Sequence, residues 1–138
     1  MNYLVDTNVI SELIRQKPHL HVLRWLKSTP IHITFLSVLT IGEIRKGIEK
    51  MQDNIRKKKL LTWLEQDLTN RFANRILPIS LEIADRWGRL SSQVPRTLPT
   101  IDSLIAATAL HYDMTLVTRN TADFIDCPGI ALINPWES

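Results

Sequence analysis

"YLVDTNVISEL", residues 3–13, is the stretch on which the reading of the fold turns. Tyr3–Val5 is a strand-sized apolar run that stops at an acid, Asp6. Two small polar residues follow, and an apolar pattern at helical spacing resumes with Val9, Leu13 and Ile14. A strand that passes through a polar turn into a helix is the first half of a βαβ unit. Asp6 itself has two readings. It can cap the following helix by accepting a hydrogen bond from an early amide. It can instead be one wall of a metal site whose other walls lie far away in sequence. Taken alone, capping explains it better.

The strand-then-helix pattern repeats. Strand-sized apolar runs recur at Ile31–Thr34, Thr115–Thr118 and Ala131–Ile133, none with clean alternation, which suits strands covered on both faces. Ile76–Ile79 is interrupted by Pro78 and is fit only for a sheet edge. Helical spacing fills the gaps. A first helix is closed by Pro18, and a second over His19–Lys27 turns Leu20, Leu23 and Leu26 inward. A third spans Ser37–Met51 with the stripe Ile41, Ile44, Ile48 and Met51, and a fourth carries Leu60, Leu61, Leu64 and Leu68. A fifth starts near Ser80 with Ile83, Trp87 and Leu90, and a sixth spans Thr100–His111. With no repeat and no linker, residues 1–138 are expected to form a single compact α/β domain. Its core is a short central parallel sheet flanked by helices.

Composition narrows the function classes. The chain is 44% hydrophobic and 22% charged, a globular balance. No apolar stretch approaches the roughly 20 residues that span a bilayer, and no basic-then-apolar leader opens it, so a cytoplasmic protein is expected. Cys127 is the single cysteine, which excludes an internal disulfide. A net charge of +3 permits a polyanionic partner without demanding one. The cluster Arg45, Lys46, Lys50, Arg56, Lys57, Lys58 and Lys59 reads first as a solvated helical face. His19, His21, His32 and His111 lack ligand spacing, and Trp25, Trp63 and Trp87 fall at helical packing positions.

In parallel α/β sheets, functional groups gather beyond the carboxyl ends of the strands. Asp6 and Asn120 both follow strand-sized runs. In "TIDSLIAATAL", residues 100–110, Asp102 shares a face with Ile105, Ala106 and Ala109. A carboxylate so placed needs a cation, donors or water. Alternatively, Thr100 caps the helix and Asp102 sits in its first turn, where the macrodipole favours an acid by about 0.3–1 kcal/mol. The two readings stand level. Glu43 in "SVLTIGEIRKG", residues 37–47, lies off the apolar stripe beside Leu39, Thr40 and Gly47, and alone it reads as exposed. Together the three acids point to one end of the sheet, where they would repel one another without a cation. Ligation by oxygen alone selects Mg²⁺ or Mn²⁺, and the chemistry implied is attack of metal-activated water on a phosphodiester.

"YLVDTNVISEL", "SVLTIGEIRKGIEK", "TIDSLIAATAL" and "LVTRNTADF" stand in the order and spacing of the motifs of PIN-domain nucleases. The chain most resembles the VapC-type toxins of bacterial toxin–antitoxin pairs, including the FitB-like branch, to which the closing "NPW" (134–136) is also similar. The resemblance runs over essentially the whole chain. It implies a PIN-like fold in which Asp6, Glu43 and Asp102 are the catalytic, metal-binding acids. Asn8 would support the first acid by hydrogen bonding, and Thr118 would line the pocket. The fourth acidic position falls on Asn120, a departure that adds no charge, and Asp123 stands nearby as the alternative. The resemblance further implies a Mg²⁺-dependent endoribonuclease, with Mn²⁺ as substitute, that leaves a 5′-phosphate and a 3′-hydroxyl. It implies a homodimer, an antitoxin that occupies the active-site groove, and operator DNA bound through that antitoxin.

Two other functions compete. An aspartyl-phosphate enzyme would place a second aspartate at position 8, which is Asn8. A catalytically inactive PIN-like binding module, acting within a toxin–antitoxin and operator complex, would use the acid pocket to hold a partner's arginine. Asn120 keeps that reading open.

Overall fold

In the computed structural model, which describes residues 1–137, the opening stretch lies at the centre of the molecule. β1 (Tyr3–Val5) pairs in parallel with β2 (Thr34–Ser37) on one side and β4 (Thr115–Val117) on the other. The edges are β3 (Ile76–Leu77) and β5 (Ala131–Ile133), giving the order β3-β2-β1-β4-β5. From β1 the chain first winds outward through β2 and β3, then crosses back to add β4 and β5 on the opposite side. Strand order therefore reverses between β1 and β4. Their carboxyl ends are tied directly, because the Asp6 amide donates to the Val117 carbonyl at 2.9 Å.

Alternation along the strands divides the interior into two cores, since successive side chains point to opposite faces. Val5 and Val117 face one core with Val9, Ile10 and Leu36. It is covered by α1 (Thr7–Ile10), α2 (Leu20–Ser28), α3 (Val38–Glu49) and the long arm that follows. That arm is α4 (Ile55–Thr62), a π-helical turn over Trp63–Leu68 and α5 (Thr69–Arg71), and it buries Leu64, Leu68 and Phe72. Leu4 and Leu116 face the other core, beneath α6 (Leu81–Gln93), α7 (Thr100–His111) and α8 (Thr121–Phe124). Ala106, Ala107 and Ala109 are fully buried, so α7 lies close to its neighbours with no large side chain to hold it off. No helix is long and apolar enough to cross a membrane among the described residues.

Three local expectations are corrected. The second strand is Thr34–Ser37, not Ile31–Thr34, because Pro30 opens a 3₁₀ turn over Ile31–Ile33. The Ile33 amide closes that turn on the Pro30 carbonyl at 3.3 Å, and the Thr34 hydroxyl donates to the Ile31 carbonyl at 2.7 Å. On α2 the inward face is Val22, Trp25 and Leu26, while Leu20 is 70% exposed and Leu23 only half-buried. Pro99, not Thr100, precedes α7, and its carbonyl receives the Ser103 amide at 3.0 Å. Asp102 still occupies the first turn. The interrupted run at Ile76 is an edge strand that stops before Pro78, as its proline requires.

The α2 assignment is directly testable. Leu26→Ala should cost about 2–5 kcal/mol, whereas Leu20→Ala should stay within about 0.5 kcal/mol. Urea unfolding of both variants checks this, and equal losses would refute an inward face of Val22, Trp25 and Leu26.

Candidate active site

Asp6 makes the helix-capping contact that its sequence context allowed, and it also reaches the end of the neighbouring strand. Its backbone is extended where β1 ends, and its Oδ1 accepts from the Thr7 amide at 2.8 Å, capping α1. Its Oδ2 accepts from the Thr118 hydroxyl at 2.8 Å, across the strand-order reversal. The residue is only 4% exposed. Burial raises its pKa, the two hydrogen bonds pull it back down, and the Glu43 charge adds to the rise.

Glu43 reaches the same place from α3. Thr7 Oγ1 lies 2.6 Å from Glu43 Oε1 and 3.0 Å from Thr40 Oγ1. A hydroxyl has one proton to give, and the carboxylate is the stronger acceptor. Thr7 therefore donates to Glu43, and the fully buried Thr40 donates to Thr7. Neither threonine stands out in the sequence. The usable signal is spacing, since Thr40 lies one turn before Glu43 on the same helical face.

Thr118 is the hub of the opposite wall. Besides donating to Asp6, its oxygen accepts from Asn8 Nδ2 at 3.4 Å and from the Asn120 amide at 3.2 Å. Asn8 Oδ1 in turn accepts from the Arg119 amide at 3.3 Å. Asn8 thus supports Asp6 through Thr118 instead of touching it. Asn120 contributes its backbone amide, and its exposed carboxamide makes no hydrogen bond among the described residues. The "NPW" motif braces this loop from behind. Asn134 Nδ2 donates to the Arg119 carbonyl at 3.3 Å, and the Arg119 guanidinium lies 5.1 Å over the Trp136 ring.

Asp102 completes the group from the first turn of α7. Its pKa is pushed up to about 6, first by burial and then by the charges of Asp6, Glu43 and Asp123. Asp102 therefore lies within reach of the charges of three other carboxylates, carried by the N-cap of α1, by α3 and by α8. Among the described residues no salt bridge reaches Asp6, Glu43 or Asp102, whereas Asp123 lies 3.9 Å from Arg96 Nη2. Among the described residues no three His, Cys, Asp or Glu side chains are grouped so that together they could hold a metal ion. The donor set nonetheless fits a hard divalent cation. Mg²⁺ keeps several waters and needs only one or two direct carboxylates beside its substrate's phosphates.

Other polar groups are accounted for elsewhere. The buried Glu12 accepts from Arg15 at 3.0 Å and from the His19 amide at 2.8 Å. His21 pairs with the Trp136 carbonyl, and burial pushes the Cys127 thiol up, away from a reactive thiolate. Part of the basic cluster is paired within the fold. Arg45 pairs with Glu65, and Lys57 is held by Asp53 and the Glu49 and Met51 carbonyls.

The chain is similar over nearly all its length to known proteins. The PIN domain family matches residues 3–128. Toxin FitB of Neisseria gonorrhoeae is 35% identical, over 96% of this chain and 97% of its own. VapC ribonuclease Y4jK of Sinorhizobium fredii is 34% identical, over 97% of each. The solved structure of FitAB bound to an IR36 DNA fragment superposes with a TM-score of 0.94 at 34% identity, covering 99% of this chain and 96% of that one.

The crowded charges make a stability prediction. A carboxyl whose folded pKa is raised binds its proton more tightly when folded, so the penalty is absent below about pH 4 and grows as pH rises through about 6. Asp102→Asn should therefore stabilise the protein at pH 7.5 by on the order of 1 kcal/mol, after discounting for solvent. The gain should vanish near pH 4. Melting curves across that range check it, and a variant that melts lower than wild type at pH 7.5 would contradict it.

Proposed function

The chain belongs to the PIN-domain family, in the branch of VapC- and FitB-like toxins, and from that premise we propose that it is a metal-dependent endoribonuclease silenced by a cognate antitoxin. The observation that carries this reading is that the charges of Asp6, Glu43 and Asp123 all reach Asp102, while among the described residues no cation is paired to Asp6, Glu43 or Asp102. Asp6, Asp102 and Glu43 would hold Mg²⁺, or Mn²⁺ in its place. When bound, such an ion supplies an activated water for attack on a phosphodiester and neutralises charge as it develops.

The protein's own part is positioning. Each Asp6 oxygen is committed to one donor, which fixes the plane of the carboxylate and leaves further lone pairs free. Thr7, itself held by Thr40, fixes one oxygen of Glu43. Asp123, not Asn120, is the better fourth acid, because its charge reaches Asp102. The inactive-module reading depends on Asn120 and loses force once the charge of Asp123 reaches Asp102. The substrate is RNA, cut to leave a 5′-phosphate and a 3′-hydroxyl, in the cytoplasm. The working form is a homodimer whose antitoxin covers the acid groove and carries the pair to operator DNA.

Purified protein freed of antitoxin should cut RNA from a mixed cellular pool in Mg²⁺ or Mn²⁺ and not in EDTA. Asp6→Asn should lower the rate by at least about a hundredfold, and Thr118→Val by about 10–100-fold, with circular dichroism unchanged. Metal-independent cutting, or a well-folded Asp6→Asn at wild-type rate, would overturn the proposal.

A further inference from the structure

Between the second half of α6 and the start of α7 lies a partly open cavity of about 320 Å³, bordered by the loop 94–98. We propose that this cavity is a nucleobase subsite, which takes one unstacked base of the RNA strand whose phosphate lies at the acids. The inference rests on the RNA-cleaving reading above and adds to it the feature of the substrate that is selected.

Its size is at the lower end of the ~300–1,000 Å³ typical of ligand pockets, enough for one base and not for a length of chain. Its walls suit a flat heterocycle. Trp87, Val94 and Leu98 supply apolar surface, and Thr97 and Thr100 supply hydroxyls that can both donate and accept at a base edge. The Trp87 ring is held in place, since Nε1 donates to Ser103 Oγ at 2.8 Å and that hydroxyl donates to the Thr100 carbonyl at 2.9 Å. Single-stranded RNA is commonly read by such splayed bases, packed on aromatic or guanidinium planes and bonded along their edges.

Location links the cavity to the acids. Asp102 and Ser103 are consecutive on α7, and a step of about 100° along a helix turns one toward the acids and the other toward the cavity. Arg96 spans the two. It lines the cavity, donates to the Ala122 carbonyl at 2.8 Å and stands 3.9 Å from Asp123. Asp126 lies 3.6 Å from its Nε as well, so its charge is already countered on two sides. A neutral base is favoured there over a phosphate.

The test has two arms. In the first, a random-sequence RNA pool is cut in Mg²⁺ and the ends are sequenced. Wild type should show a base preference at one position beside the cut. Thr97→Phe and Ser91→Phe, which fill the cavity from exposed positions, should lower kcat/KM for the preferred base at least tenfold while other sites are still cut. An unchanged preference in both folded variants overturns the subsite and leaves the nuclease standing. In the second, the tryptophan indole resonances are followed in EDTA as each nucleoside 5′-monophosphate is added. The Trp87 signal should shift saturably with at least one nucleotide, not with inorganic phosphate, and not in Thr97→Phe. No shift with any of the four overturns the subsite, whether or not RNA is cut. A shift without any cutting in the first arm keeps the subsite and rejects the catalytic reading.

Discussion

The structure is organised around one carboxylate. Asp6 ends β1, caps α1 and accepts the Thr118 hydroxyl from the end of β4, so a single buried acid joins strand, helix and neighbouring strand. Its position follows from topology. Strand order reverses between β1 and β4, and the crevice at a reversal is where an open parallel sheet leaves room for a ligand. The other acids are brought to that crevice by helices whose packing serves the two cores. α3 delivers Glu43 while burying Ile44 and Ile48, and α7 delivers Asp102 while burying Ile105, Ala106 and Ala109. Fold and site are therefore set by the same contacts.

This arrangement carries an electrostatic strain. The pKa of Asp6 and of Asp102 rises with burial and with the charge of neighbouring acids. A protein selected only for stability would place a cation or an amide at one of these positions. The site instead spends its neutral donors, Thr7, Thr40 and Thr118, on orientation, leaving net negative charge at the crevice. Stability is commonly given up in this way where preorganised charge is needed.

Local punctuation made part of this legible in the sequence. The step from Tyr3–Val5 into Asp6 marked a strand end, and Pro78 confined its strand to an edge. The acids could be grouped from the sequence because each stands at the start of, or within, a segment expected to meet the same end of the sheet. The register of β2 was not, since a short apolar run after Pro30 fits a turn as well as a strand. Nor was the α2 face, where leucine spacing suggested Leu20 but the sheet buries Val22. Pairings across the fold were hidden for a different reason. Thr7 meets Thr40 across 33 residues and Thr118 meets Asp6 across 112, and no local pattern encodes a contact of that separation. The role of Asp123 depends on where α8 lands, and the cavity beside Trp87 exists only once α6 and α7 are packed.

The most direct measurement is calorimetric titration of Mn²⁺ into the antitoxin-free protein near pH 6.5, in two buffers of different ionisation enthalpy. If the acids form one metal site, Mn²⁺ binds with proton release, because a raised carboxyl must give up its proton to become a ligand. Both the binding and the proton release should then fall sharply in Asp102→Asn and in Asp6→Asn. Absence of binding to folded wild-type protein at millimolar Mn²⁺, or binding undiminished in both variants, would contradict a metal centre at Asp6, Glu43 and Asp102.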